Sequence, residues 1–370
     1  MPSPTALILS GGGARAAYQA GVLVALAELA PDLQLPIITG VSAGAINAMY
    51  LAQHPGPIAL AANGLREQWD RLTSEQVYRA RVGALVTGAV RGLFGGLAHQ
   101  GAGGPAIHGL LDMQPLRHFL TRAVNLEGVR RNIAAGRLRA VALSATSYGD
   151  GCTVTFVEGA DDVEPWTRAQ RYAVPAHLTI DHVMASAAIP IVFPAVRLPN
   201  GGYYGDGSVR QTAPLAPAVH LGARRLIAVG MRATRPEQGT QRRDYPTSAE
   251  VLGLVMHSIF LDSLDADIER LERVNYLLKS AGEPGDLRPV DLLLLRPSRN
   301  LGGMAREYPF AVPGAVRWVV RAMGGGRREG ADFLSYLLFA PPFTTDLMDL
   351  GYHDTVGRKG RIEDFLAKDA

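Results

Sequence analysis

From Thr5 the chain runs apolar through Ala6-Leu7-Ile8-Leu9, stops at Ser10 and three glycines, and resumes as an alanine- and leucine-rich stretch from Arg15 to Leu29. This pattern predicts strand, tight turn and helix. It recurs where Pro36-Ile37-Ile38-Thr39 leads into Gly40-Val41-Ser42-Ala43-Gly44, and Ala45–Gln53 then reads as an apolar helix closed by His54-Pro55. Two successive strand-helix units predict a parallel sheet, because each crossover helix returns the chain in the same direction. Leu138–Ala145, Arg225–Gly230 and Val290–Leu295 are further short runs rich in branched aliphatics, separated by helical stretches. The fold class is therefore α/β.

Elsewhere the patterning is looser. Residues 81–104 turn to Gly, Ala and Val, with Arg91 among Leu93, Phe94 and Leu97, and read as an apolar loop or broken helix. Residues 232–246 are polar and read as a linker or exposed excursion. One long helix is expected from Ser248 to Ser280, with His257 packed on it. Phe333–Phe339 and Leu347–Tyr352 read as packed helix and turn, with no function assigned.

Composition narrows the classes. The 370 residues are 47% hydrophobic, enough for a sizeable buried core, which rules out disorder. The 37 basic residues against 34 acidic leave +3, too little for a general field toward nucleic acid, so no nucleic-acid partner is expected. The single cysteine, Cys152, cannot form an intrachain disulfide and suits a reducing compartment. No secretion signal is read near Ala6–Leu9, and no run approaches the roughly 18 apolar residues of a membrane span. The expectation is a cytoplasmic protein that at most touches a membrane peripherally through residues 81–104.

The chemistry gathers at turns. Gly40-Val41-Ser42-Ala43-Gly44 fits G-x-S-x-G, in which a sharp strand-to-helix turn exposes the serine hydroxyl beside a helix N-terminus, while Gly40 and Gly44 permit close backbone approach. Gly11-Gly12-Gly13-Ala14-Arg15 occupies the equivalent turn of the first unit, and its backbone N–H groups make a candidate oxyanion hole. Gly11, Gly13 and Ala16 also fit the dinucleotide fingerprint G-x-G-x-x-A, although the acidic residue expected at the end of the second strand is replaced by Thr39. A Ser-His-Asp triad would draw its base from His220, His257 or His353. Asp206, within Gly201-Gly202-Tyr203-Tyr204-Gly205-Asp206-Gly207-Ser208, is a carboxylate that glycines allow to approach another loop. The triad and the dinucleotide module both remain open on the residues alone.

Taken together, these segments resemble the patatin-like phospholipases, lipid acyl hydrolases with a Ser-Asp dyad. The resemblance runs from Ala6 to about Pro214 and includes the Ser/Ala-rich, proline-punctuated stretch Ala185–Pro194. It implies a three-layer fold with a mainly parallel central sheet flanked by helices, a catalytic domain over 5–231, and a mostly helical extension over 232–370 packed on it. It further implies Ser42 as nucleophile and Asp206 as base, Gly11, Gly12 and Gly13 as oxyanion loop, and Arg15, Gly40, Gly44 and Gly207 in support. Arg15 would steady the loop or meet a lipid phosphate. The substrate would be a lipid or phospholipid ester, with no cofactor and no metal. Ala16 and Ser208 depart from the family pattern, each adding atoms where the family has smaller residues.

Overall fold

The computed structural model describes residues 4–80, 109–234, 245, 248–260, 262–281, 287–308, 311, 314, 316–317 and 331–367. The apolar segment 81–104 and most of the 232–246 excursion lie outside the described residues. The principal strands are β1 (Thr5–Leu9), β2 (Ile37–Val41), β3 (Ala140–Ser147), β4 (Thr153–Gly159), β5 (Arg171–Pro175), β6 (Tyr203–Asp206), β7 (Arg225–Val229) and β8 (Asp291–Leu295). The helices used below are α1 (Ala17–Leu29), α2 (Ala43–Ala52), α3 (Ile58–Arg71), α4 (Gln114–Ala123), α5 (Ile180–Ser186), α6 (Ser248–Phe260), α7 (Asp262–Ala281), α8 (Leu301–Met304), α9 (Ala331–Leu334) and α10 (Pro341–Val356).

The sheet runs in the order β8-β7-β1-β2-β3-β4-β5. It is parallel from β8 through β3, as the strand-helix pattern predicts, and turns antiparallel where β4 pairs with β3. Successive side chains of β1 point to opposite faces. Leu7 and Leu9 join the larger core with α1, α2 and α3, while Ala6 and Ile8 join a second core with Leu264 and Ile268 of α7. Helices therefore cover both faces, and β1, with every residue buried, is the middle of three layers. Each fully buried leucine here contributes about 1.5–3 kcal/mol relative to exposure.

Residues beyond 231 enter both the sheet and a helical layer. β8 pairs with β7, and α10 lies against α1 so closely that a Cβ on Gly21 would fall 1.8 Å from the Met348 carbonyl oxygen, and one on Gly351 2.2 Å from that of Tyr18. Only glycine fits at either crossing point. Helix is present over Ser248–Phe260 (α6) and Asp262–Ala281 (α7), within and just beyond the span expected for one long helix, and the residue between them lies outside the described residues. β4 is a strand that the aliphatic pattern did not mark: Val154 and Phe156 enter the larger core, but they alternate with Thr153 and Thr155, which are equally buried yet polar. Among the described residues no helix is long and apolar enough to cross a membrane.

Candidate active site

Two strands share one edge of β3. β2 runs parallel to it over Ala140–Ser144, and β6 runs antiparallel over Ala145–Ser147. Val41 pairs with Ser144 and Asp206 with Ala145, so the C-terminal ends of β2 and β6 converge head to head. Ser42 follows Val41 directly, and this topology carries it to Asp206.

At the end of β2 the backbone turns into α2 through Ser42 at φ 56° and ψ −131°, a positive φ that a side-chain-bearing residue adopts only under constraint. The neighbouring glycines make the turn sterically feasible. A Cβ on Gly44 would lie 2.2 Å from the Leu9 carbonyl oxygen, and one on Gly40 2.5 Å from that of Gly44. The Ser42 N–H donates to Ser186 Oγ of α5 at 3.0 Å, and that hydroxyl donates to the Ser144 carbonyl at 2.6 Å. Ser186 thus fixes the turn to β3, a role its place in Ala185–Pro194 did not by itself reveal.

The Ser42 hydroxyl donates to Asp206 Oδ2 at 2.6 Å, while Asp206 Oδ1 accepts the Ser208 N–H at 2.9 Å. The Asp206 backbone is held by its own N–H to the Ala188 carbonyl at 2.9 Å and by Thr146 Oγ1 donating to its carbonyl at 2.8 Å. Complete burial pushes the carboxyl up from 3.8 to about 6, against the opposing pull of hydrogen bonds from Ser42 and Ser208. A Cβ on Gly207 would lie 2.2 Å from the Ser144 carbonyl oxygen, so the Asp-Gly turn packs against β3 only without a side chain.

The glycine loop completes the cluster. A Cβ on Gly11 would fall 2.6 Å from Ser208 Oγ and 2.9 Å from Ser42 Cβ, which puts the loop in contact with the dyad. Gly13 has φ +56°, and the following Ala14 N–H donates to the Tyr336 carbonyl at 2.9 Å. Among the described residues no acceptor takes the N–H of Gly12 or Gly13. Ala16 is accommodated at full burial, and its carbonyl accepts from Asn47 Nδ2 at 3.2 Å.

Two expectations need correction. Arg15 is only 1% exposed, with its guanidinium donating to Asp332, Ser335 and Tyr336, so it supports the loop from within the protein and is not placed to meet a lipid phosphate. Phe333–Phe339, read as mere packing, supplies Tyr336 and Phe339 to the wall of the site. The open alternatives also fare differently from the dyad. His220 stacks on Trp166, the His257 ring lies 2.5 Å from Asp332, and His353 packs beside Tyr352; none bonds to Ser42 or Asp206. A Cβ on Gly11 would meet Ser208 and Ser42, and one on Gly13 would lie 2.2 Å from the Tyr336 carbonyl oxygen, so packing within the protein already requires both glycines of the dinucleotide-like pattern.

Beside Ser42 opens a narrow cleft, walled by α2, α3, α4 and the Tyr336–Phe339 segment. Its described lining includes Ile46, Leu65, Leu116, Leu120 and Ile189 and holds no charged side chain. The polar atoms of Asn47 are already engaged, donating to Gln19 Oε1 at 2.8 Å and accepting from Trp69 Nε1 at 2.9 Å. Among the described residues no cluster of three His, Cys, Asp or Glu side chains is arranged to hold a metal ion.

A serine on a strained turn facing a buried carboxylate, with a glycine loop at its side and an apolar cleft beside it, sits on an α/β scaffold whose chain order matches a known family. The model of the patatin-like phospholipase family matches residues 7–219, more than half of the chain, and the protein belongs to that family. No curated protein sequence matches the chain. Among solved structures, VipD from Legionella pneumophila is 11% identical with a TM-score of 0.33, covering 94% of this chain and 67% of its own. The type III effector protein ExoU is 13% identical with a TM-score of 0.37, covering 98% and 54%. Human GIVD cytosolic phospholipase A2, in complex with methyl gamma-linolenyl fluorophosphonate, is 13% identical with a TM-score of 0.46, covering 99% and 59%. The latter two are therefore considerably longer proteins than the present chain.

Proposed function

We propose that the protein is a lipid acyl hydrolase of the phospholipase A or lipase-esterase type, acting through a Ser42 acyl-enzyme with Asp206 as base. The observation that carries this reading is the 2.6 Å hydrogen bond from Ser42 to Asp206 at the mouth of an apolar cleft. As Ser42 Oγ bonds to the ester carbonyl carbon, its proton passes to Asp206 and the carbonyl oxygen becomes an oxyanion. The N–H groups of Gly12 and Gly13 are the donors for that charge, and such donors typically contribute about 10²–10³-fold in rate each. Collapse breaks the bond to the alkoxy group, which leaves with the proton from Asp206. Water then attacks the acyl-enzyme, giving its proton to Asp206; the Ser42 Oγ–acyl bond breaks, Oγ takes the proton back from Asp206, and the fatty acid departs.

The cleft suits an acyl chain, because its wall is largely apolar and Asn47 and Trp69 within it are already paired. A carboxylate with the ordinary value of 3.8 is a weak base, and burial of Asp206 strengthens it toward the working range. The chemistry resides in 5–231, and 232–370 is part of the same working unit. The test is labelling by a fluorophosphonate probe together with ester hydrolysis. Ser42→Ala and Asp206→Asn are expected to lose at least about 10³-fold in turnover while remaining folded, and substitution of His220, His257 or His353 by Ala to retain labelling. Near-wild-type turnover by either dyad variant would overturn the reading, and labelling that vanishes with one histidine would favour a triad.

A further inference from the structure

The donors for the oxyanion are backbone groups, and backbone groups act only as well as their peptide planes are aimed. What aims this loop comes from far along the chain. Arg15 Nε donates to Ser335 Oγ at 2.7 Å, Nη1 to the Tyr336 hydroxyl at 3.2 Å, and Nη2 to the Asp332 carbonyl at 2.9 Å and to Asp332 Oδ1 at 2.8 Å. The guanidinium also lies 4.0 Å from the centre of the Tyr336 ring. The same segment takes the Ala14 N–H on the Tyr336 carbonyl, leaving the Gly12 and Gly13 N–H groups for a ligand.

The contact is closed on a further side. A Cβ on Gly302 of α8 would lie 1.7 Å from Asp332 Oδ1 and 2.8 Å from Arg15 Nη2, so this position admits no side chain while the pair is formed. From α6, His257 Nε2 reaches the other Asp332 oxygen at 2.5 Å. Burial by itself would raise the Asp332 carboxyl, but the contacts with His257 and Arg15 outweigh it and hold it below its ordinary value.

We propose that Asp332 is a positioning residue for the oxyanion loop: through the buried Arg15 guanidinium, and with the Tyr336 carbonyl on Ala14, it fixes the direction of the Gly12 and Gly13 N–H groups. The inference rests on the reading of Ser42 as nucleophile, and it assigns a role in that reaction to residues outside the family-matched stretch 7–219. Without Asp332 the cation at Arg15 is buried with no countercharge. It must then draw in water or move outward, and either response turns the Gly13–Ala16 helix that begins at the oxyanion donors.

The experiment compares Asp332→Asn and Asp332→Ala in the full chain, with a short p-nitrophenyl ester as substrate and the rate of fluorophosphonate labelling as a second readout. Because an oxyanion forms only after substrate is bound, Asp332→Ala is expected to lower kcat about 10- to 100-fold, slow labelling in parallel, and leave KM within about threefold. Asp332→Asn keeps an oxygen for Arg15 and is expected to recover part of kcat. The double variant Arg15→Met, Asp332→Ala is expected to be about as slow as Asp332→Ala alone, since both remove one device. Unchanged kcat in Asp332→Ala, additive losses in the double variant, or a loss that disappears when the assay temperature is lowered with the melting temperature would overturn the proposal while leaving the dyad standing. Absence of Ser42-dependent hydrolysis in the wild type would overturn both.

Discussion

Ser42 and Asp206, 164 residues apart in the chain, meet at 2.6 Å because the strands that carry them end against each other on one edge of β3. Neither residue is delivered by a long flexible loop. The serine is the first residue after β2 and the aspartate the last of β6, so the pair inherits the rigidity of the sheet.

The backbone at Ser42 is strained, and that strain is separable from its chemistry. A positive φ with ψ −131° costs on the order of 1–3 kcal/mol for a residue with a Cβ, and glycine relieves most of it. Ser42→Gly and Ser42→Ala both lack the hydroxyl, yet the glycine variant is expected to be about 1 kcal/mol more stable in urea unfolding, even after its greater unfolded-state entropy. Equal stability of the two would show that the turn is relaxed.

Burial of Asp206 gives stability a definite pH dependence. Below pH 3.8 the carboxyl is protonated both folded and unfolded, so no penalty operates; as pH rises toward 6 the unfolded chain releases the proton and the folded one resists, so the penalty grows and is complete above 6. Asp206→Asn, which carries no charge, is therefore expected to gain up to about 3 kcal/mol over the wild type at pH 8 and to lose that gain as pH falls through the same range. Hydrolysis has the matching sign: kcat/KM of the wild type is expected to rise with pH and level off above about 6, as the free carboxylate forms. A pH-independent stability difference would contradict the assigned environment of Asp206.

Chain-length selection is expected to reside in the cleft. Ile46 lies one helical turn after Ser42 on α2 and is only partly buried in the cleft wall, so a larger side chain there obstructs the channel without overpacking the core. Ile46→Trp is expected to reduce hydrolysis of a long-chain p-nitrophenyl ester at least about tenfold relative to the acetyl ester. A parallel change for both esters would remove the cleft from substrate binding.

The proposed mechanism takes its base from Asp206 and its oxyanion donors from the glycine loop, and the sequence contains no D-x-[DN]-x-[DN]-G calcium loop. Hydrolysis of a soluble ester is expected to survive exhaustive chelation. Activity abolished by chelator and restored by added calcium would point to a different mechanism.

Much of this site was legible because its parts are local. A strand, a glycine turn and a helix leave their mark within about ten residues, and both Gly11–Gly13 and Gly40–Gly44 could be placed on turns from hydrophobic patterning alone. What escaped depends on distance. An arginine ordinarily reads as a surface residue, and nothing near Arg15 announces that Asp332, Ser335 and Tyr336 will enclose it. Tyr336 acts on the loop through a main-chain carbonyl, which any residue type could have supplied. β4 was obscured because Thr155 satisfies its buried hydroxyl against Ser144 across the strands, a polar pairing that mimics a solvent-facing position in sequence.

The division of the β3 edge between β2 and β6 also sets an order in time. During synthesis Ser42 emerges long before Ala145 offers an edge, Asp206 later still, and Asp332 only 317 residues after Arg15. On the proposed reading, a nascent chain carries the nucleophile without its base, or both without the clamp on the glycine loop. Hydrolytic competence, on that reading, therefore arrives only once Asp332 has reached Arg15, after Ser42 and Asp206 can already meet.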